Sequence, residues 1–292
     1  MLAGVLSAGC AFLLWGIFPL YLKSLKAIPP LEILSHRVFW SLMMLALVLT
    51  IRHQWGWINA IKKNPRITAA FVASASMLAI NWVVYIWAIN HDRIVDASLG
   101  YFIAPLFNVL FGVMLGERLR LWQWISVTIA TTGVAWLTIS AGQLPWIGLT
   151  LAFTFGLYGL LRKTASLGAL EGLTLETLVM LPLSALFLLL PESGSSHAFV
   201  NAGINTSLLL IAAGPVTAIP LLLFAYGARR IPLSLVGILQ YIGPTIQLLL
   251  GIYLYNEAFS STKLIGYGLI WCALGLYSIE SLWQAWRNNT SS

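Results

Sequence analysis

Residues 29–51 read PPLEILSHRVFWSLMMLALVLTI, and the reading of this stretch decides the fold. From Val38 it is apolar apart from Ser41 and Thr50, and the whole run is long enough to cross a bilayer as a helix. Pro29 and Pro30 stand where a helix tolerates proline, at its first turn. Yet Glu32, His36 and Arg37 fall in the first third. Counted from Pro30, Arg37 is seven residues in, about 10 Å of rise, so its guanidinium lies below the headgroups unless it snorkels back. A charge at that depth costs roughly 3 kcal/mol on insertion scales and has to face protein or a watery cavity. Glu32 and His36 are one helical turn apart on a shared face, with Arg37 just beside it. Two readings stay open. Either the three form a polar cluster on a path through the interior of a bundle, or Glu32 sits at the helix N-terminus and Arg37 snorkels to pair with it.

The rest of the chain places that helix among others like it. Of 292 residues, 59% are hydrophobic and 9% charged, against about 25% charged in soluble domains. Continuous apolar runs of roughly 20 residues recur, which predicts helices rather than alternating strands as the spanning elements. The expected fold class is therefore an all-α integral membrane protein. Its spans are predicted near residues 4–22, 30–51, 67–89, 94–115, 121–140, 145–161, 173–190, 207–228, 233–255 and 263–282, ten transmembrane helices in all. The seventh is read as capped by Thr174 with Glu176 in its first turn, and 191–206 as an exposed loop. Pro19, Pro105 and Pro244 mark expected helix hinges. The N-terminal run lacks a basic leader and a small-residue cleavage site, so it reads as a retained helix. Cys10 and Cys272 both fall within predicted spans and make no disulfide framework.

A net charge of +7 would suggest nucleic acid in a soluble protein, but here the cations are scattered through short connections. The bilayer, not nucleic acid, is the expected partner. With ten spans, eleven basic residues fall on the side shared with the termini and four, Lys23, Lys26, Arg93 and Lys263, on the other. The positive-inside rule then predicts that both termini are cytoplasmic.

The chain also resembles itself. Tyr101-Phe-Ile-Ala-Pro105 is followed by Gly112 and Glu117, and Gln240-Tyr-Ile-Gly-Pro244 by Gly251 and Glu257. Three markers in order predict two halves, 1–142 and 143–292, each of five spans. Chance coincidence of Pro and Gly is the competing reading. An odd number of spans per half inverts the second half, giving two inverted five-helix repeats, the architecture of many secondary carriers.

The chain also resembles the drug/metabolite transporter superfamily in its ten-helix EamA-type form, and most closely the RarD-type permeases. The resemblance rests on Trp15-Gly-Ile-Phe-Pro19-Leu-Tyr21 with Lys23, on Glu32-Ile-Leu-Ser-His36-Arg37-Val-Phe-Trp40, and on Asn81-Trp82 with Tyr85 and Trp87. It continues through Ser98-Leu-Gly-Tyr101-Phe-Ile-Ala-Pro105-Leu, Phe224 to Ala228 and Gln240-Tyr241-Ile-Gly-Pro244-Thr. It implies a bacterial inner-membrane permease for a small metabolite or drug-like solute, often exported, with a central cavity lined chiefly by spans 1, 3, 4, 6, 8 and 9. It supplies no physiological substrate.

On that topology the substrate-path candidates are Trp15, Asn81, Trp82, Tyr85, Tyr101, Asn108, Gln240, Tyr241 and Gln247, together with Glu32, His36 and Arg37. Aromatic area with a few amides and phenols suits a small amphipathic solute. Each aromatic has a competing role in packing or in the interfacial belts, and Asn108 has one as a helix-to-helix hydrogen bond. His36 and Glu32 could recognise a zwitterion or relay a proton, the candidate coupling ion. The sequence carries no H-E-x-x-H, no Cys/His ligand spacing, no G-x-S-x-G and no nucleotide-binding loop. No metal, cofactor or catalytic residue is therefore expected, and the rivals to a carrier are a non-transporting scaffold or sensor, a channel and an intramembrane enzyme.

Overall fold

The structure, a computed structural model, describes residues 2–114, 119–142, 144–189, 199, 203–231, 236 and 239–290; side chains at 60, 108, 109, 112, 141, 163, 281, 282 and 284–290 lie outside the description. Among the described residues the helices are α1 (Leu2–Lys23), α2 (Pro30–Ile51), the short α3 (Trp57–Lys63), α4 (Pro65–Asn90), α5 (Ile94–Met114) and α6 (Leu121–Ala141). There follow α7 (Trp146–Thr164), α8 (Ala169–Leu189), α9 (Ile204–Ala228), α10 (Ile242–Leu249, continuing as a π turn over Leu250–Leu254) and α11 (Ser261–Thr290). A helix stands at each of the ten places where a span is predicted.

Six of these stretches are long and apolar enough to cross a bilayer: Leu2–Lys23, Pro30–Ile51, Pro65–Asn90, Ala169–Leu189, Ile204–Ala228 and Ser261–Glu280. Three further apolar helices, Ile94–Phe107, Trp146–Arg162 and Ile242–Leu254, are shorter. Their surfaces show what surrounds them. On α1 the inner side buries Gly4, Ala8, Ala11 and Gly16, while Leu2, Leu6, Leu13 and Ile17 stand exposed. A helix that is apolar on both faces has lipid on one of them, and small residues on the other let helices approach closely.

Local chemistry sets several helix ends. Pro30 begins α2, where its missing N–H costs nothing. Asn64 accepts the Arg66 N–H at 3.1 Å and Pro65 opens α4. Gly142, at φ 65°, closes α6 in the left-handed conformation that glycine tolerates.

Three sequence expectations are corrected. The seventh span starts at Ala169 with Glu171 in its first turn, so Thr174 is no cap: it lies within α8 and its hydroxyl donates to the Leu170 carbonyl at 2.8 Å. Glu176 therefore lies a full turn deeper than expected. The predicted loop 191–206 is not wholly exposed, since Phe199 stacks on His36 with ring centroids 5.2 Å apart. The ninth span is interrupted at Tyr241, a turn just before α10. Pro244 explains this, because its ring clashes with the carbonyl four residues earlier, at Gln240.

Helix pairing is specific. In the middle α2 packs along α8, and at the periphery α6 packs along α11. Between them α1 packs on α9 and α10, α7 on α4 and α5, α2 on α9 and α4 on α8. The loops sort by end as well. Asp92 receives Lys23 and Lys26, while Asp96 lies within 4 Å of Arg93 and Lys263. At the same end the Glu257 carboxylate accepts the N–H groups of Ile94 and Val95, both at 2.8 Å, and caps α5. All four cations predicted on the side opposite the termini thus gather at one end, each beside an aspartate. Glu117, the expected repeat partner of Glu257, lies outside the described residues.

Candidate functional site

Where α1, α2, α4, α5, α7, α9 and α10 converge they enclose a cavity of about 50 Å³. That is room for a few water molecules, against roughly 300 Å³ or more for a formed small-molecule site. Most of its wall is aromatic. Trp15 meets Phe12 at 5.6 Å and Phe155 at 5.8 Å edge-on, and Tyr101 meets Phe155 at 5.8 Å. Tyr85 lies parallel to Phe18 at 6.1 Å and edge-on to Tyr101 at 5.7 Å. Leu78, Leu221, Gly243 and Pro244 complete the apolar lining.

Arg37 supplies the charge. It lines the cavity and is 3% exposed. Its Nε donates to Thr217 Oγ1 of α9 at 2.9 Å, and the guanidinium lies over the rings of Trp82 at 4.3 Å and Phe18 at 4.9 Å. Its Nη1 is buried with no hydrogen-bond partner. The paired reading of α2 is not what forms: the ion pairs among the described residues do not join Arg37 to Glu32. Glu32 and His36 are buried on the neighbouring face of α2 and do not line the cavity.

The amides divide into two kinds. Asn81 is satisfied by its neighbours: Nδ2 donates to the Leu151 carbonyl at 3.1 Å and to Thr154 Oγ1 at 2.9 Å, and Oδ1 accepts from the Tyr101 hydroxyl at 3.2 Å. It ties α4 to α7 and α5. Gln247 is half engaged. Proline 19 has no N–H, so the Trp15 carbonyl four residues earlier loses its helical donor, and Gln247 Nε2 reaches across from α10 to supply one at 2.9 Å. Gln247 Oε1, Gln240 Nε2 and the Tyr85 hydroxyl have no hydrogen-bond partner, and all three residues line the cavity.

Of the twelve sequence candidates the structure therefore brings nine to one cavity: Trp15, Arg37, Asn81, Trp82, Tyr85, Tyr101, Gln240, Gln247 and, from the hinge set, Pro244. Tyr241 points elsewhere, lying parallel to Phe102 at 6.4 Å. The side chain of Asn108 lies outside the description. Pro19 and Pro105 are buried inside α1 and α5, off the cavity.

A second buried polar cluster escapes the sequence reading. Glu176 of α8 is 0% exposed. It accepts a short hydrogen bond from Ser74 of α4 and one from the Tyr158 hydroxyl at 3.4 Å, and Arg162 Nη1 lies 3.8 Å from it. Arg162 also donates to the Gly168 and Ala169 carbonyls and lies 5.6 Å from the Phe71 ring. The available signal was depth: Glu176 is as far into α8 as Arg37 is into α2. Among the described residues no three metal-ligating side chains converge.

The model of the EamA-like transporter family matches residues 2–139 and again 145–279. The uncharacterized transporter YojE of Bacillus subtilis is 45% identical over 99% of this chain and 97% of its own. Protein RarD of Escherichia coli is 40% identical over 98% and 97%, and the chloramphenicol-sensitive protein RarD of Pseudomonas aeruginosa is 34% identical over 95% and 94%. A solved crystal structure shares the fold with a TM-score of 0.64 at 21% identity, covering 94% of this chain and 96% of that one. With apolar helices around a polar cavity and a family match along both parts of the sequence, the chain belongs to the EamA-like transporter family, among the RarD-type members of the drug/metabolite transporter superfamily.

Proposed function

We propose that this membrane transporter is a secondary permease that carries a small metabolite or drug-like solute across the bacterial inner membrane by alternating access to the Arg37 cavity, in the direction of export. In this reading the halves 1–142 and 143–292 are inverted repeats of five helices each, all ten crossing the bilayer, with both termini cytoplasmic.

The observation that carries the reading is the pairing of helices across the cavity. Exchange α1 with α7, α2 with α8, α4 with α9, α5 with α10 and α6 with α11, and the principal contacts map onto one another. The α1–α9 pair becomes α7–α4, α5–α7 becomes α10–α1, and α2–α9 becomes α8–α4, while α2–α8 and α6–α11 map onto themselves. A twofold relation of this kind lets two halves exchange conformations around a fixed site. The two successive matches of one family model support the same division. The small cavity corresponds to a closed state, in which neither side reaches the polar groups. Glu32 and His36 lie beside the cavity on α2, near enough in sequence for protonation there to bias its helix.

The test is a metabolite profile of cells with and without the protein, followed by reconstitution of the strongest candidate in liposomes. Solutes that rise in the medium and cross the liposome membrane, with flux blocked by Gly243→Leu, support the reading; no flux of any profiled solute overturns it. An active alkaline phosphatase fused after residue 142 and a fluorescent protein that folds at the C-terminus are expected for the topology. Unchanged pH dependence of flux in Glu32→Gln and His36→Ala removes a proton relay through that pair.

A further inference from the structure

We infer that the cavity selects a monoanion: a small solute whose carboxylate, or equivalent singly charged group, docks on Arg37 and whose apolar, preferably aromatic, body lies against Trp15, Tyr101 and Phe155. This rests on the transport reading for the role of the cavity and adds the class of its solute.

Charge carries the inference first. Every other well-buried cation among the described residues has an acid beside it, as Arg162 has Glu176. Arg37 has a threonine hydroxyl and two ring faces, all uncharged, and no ion pair. A guanidinium removed from water and left without a counter-ion is a strained arrangement that an arriving anion relieves. Arginine also offers a planar fork of donors matched to a carboxylate, and Nη1 is unengaged.

The other unengaged atoms agree. Gln240 Nε2 and the Tyr85 hydroxyl are donors on the same cavity, so three donors without partners accompany one acceptor, Gln247 Oε1. Neither Asp nor Glu lines the cavity. A cationic solute would meet a buried like charge with nothing to offset it, and a neutral solute would leave Arg37 as it stands. A dianion would bring two charges to a site with one. The single acceptor suits one polar hydrogen on the solute body, and the aromatic walls suit an apolar frame.

Three size-matched probes test this on the purified full-length protein in detergent: 3-phenylpropionate, 3-phenylpropionamide and 3-phenylpropylamine. Thermal unfolding is expected to shift upward by about 2–4 °C with the carboxylate at saturating concentration and not with the amide or amine. The shift is expected to vanish in Arg37→Gln, which keeps a hydrogen bond for Thr217 within reach, and to persist in weakened form in Arg37→Lys. An equal shift with the amide or amine, a full shift in Arg37→Gln, or no shift with the carboxylate overturns the inference. The wild-type comparison among the three probes stands even if a variant fails to fold. Carboxylate binding without flux of any solute would remove the transport reading and leave the anion site. Flux of a neutral or cationic solute, blocked by Gly243→Leu, would keep the transport reading and remove the anion assignment.

Discussion

Arg37 and Glu176 are each the eighth residue of their helix, in α2 and α8, which pack together at the centre of the bundle. Both are buried charges facing a hydroxyl on a helix of the other half, Thr217 for the one and Ser74 for the other. There the likeness ends. Glu176 is closed on itself by Ser74, Tyr158 and Arg162, whereas Arg37 borders a cavity with part of its guanidinium unclaimed. The depth of a charge in the bilayer therefore does not say what the charge is for; the inventory of partners does. A satisfied buried charge holds helices together, and an unsatisfied one at a cavity awaits a ligand.

That contrast is broken or sharpened most strongly at Glu176. Glu176→Ala leaves Arg162 buried without its acid and is expected to cost about 3–5 kcal/mol, read as a large fall in the unfolding midpoint of the purified protein. If Arg37→Ala destabilises as much, the two sites are alike and the distinction is wrong. Arg37→Met is expected to behave in the opposite sense. An apolar chain of similar length replaces an uncompensated charge, so stability holds or rises, while flux of an anionic solute at sub-saturating concentration falls about 30-fold or more, as for a lost charge-assisted contact of about 2 kcal/mol.

A smaller effect is expected at Gln247. Gln247→Leu strips the donor from the Trp15 carbonyl that Pro19 leaves open, at a cost of about 1–2 kcal/mol. Pro19→Ala restores an N–H at position 19, so in that background the same Gln247 substitution should cost much less. A double-mutant cycle showing no coupling would discard the link. The smallest effect lies outside the bundle, at Asp92. Hydrogen bonds from Lys23 and Lys26 hold its carboxyl below the usual range. A depressed carboxyl stabilises the fold fully above its unfolded value, about pH 4, and that contribution is lost as pH falls through the lower folded value. The group is exposed and screened, so Asp92→Asn should lower the unfolding midpoint only slightly at pH 7, less in high salt, and not at all near pH 2.

Much of this was legible in the sequence because lipid writes a strong signal: continuous apolar runs fix where helices stand, and Gly and Pro mark where they touch or break. Arg37 could be singled out by depth alone. Its surroundings could not, since Thr217 and Trp82 reach it from distant parts of the chain. Glu176 was read as a first-turn residue because the start of α8, Ala169-Leu-Glu-Gly, blends into the preceding connection. Tyr241 shows the limit at a single residue. It neighbours Gln240 in sequence, but adjacent residues on a helix point about 100° apart, and only Gln240 lines the cavity. The open carbonyl behind Pro19 was deducible; that α10 would answer it was not.

The glycine contacts carry a mechanical consequence. A methyl group on Gly214 would land 2.5 Å from the Trp40 backbone, one on Gly227 would land 2.8 Å from the Gly4 oxygen, and one on Gly100 would land 2.7 Å from the Gly148 oxygen. Backbones this close slide only at great cost, so α1, α2 and α9 form one stiff block, and α5 and α7 belong to another, joined to α4 through Asn81. The cavity lies on the seam between the blocks, where rotatable aromatic rings meet instead of main chains. Widening it is therefore a matter of parting two preassembled wedges along a soft hinge line, with no helix obliged to unwind.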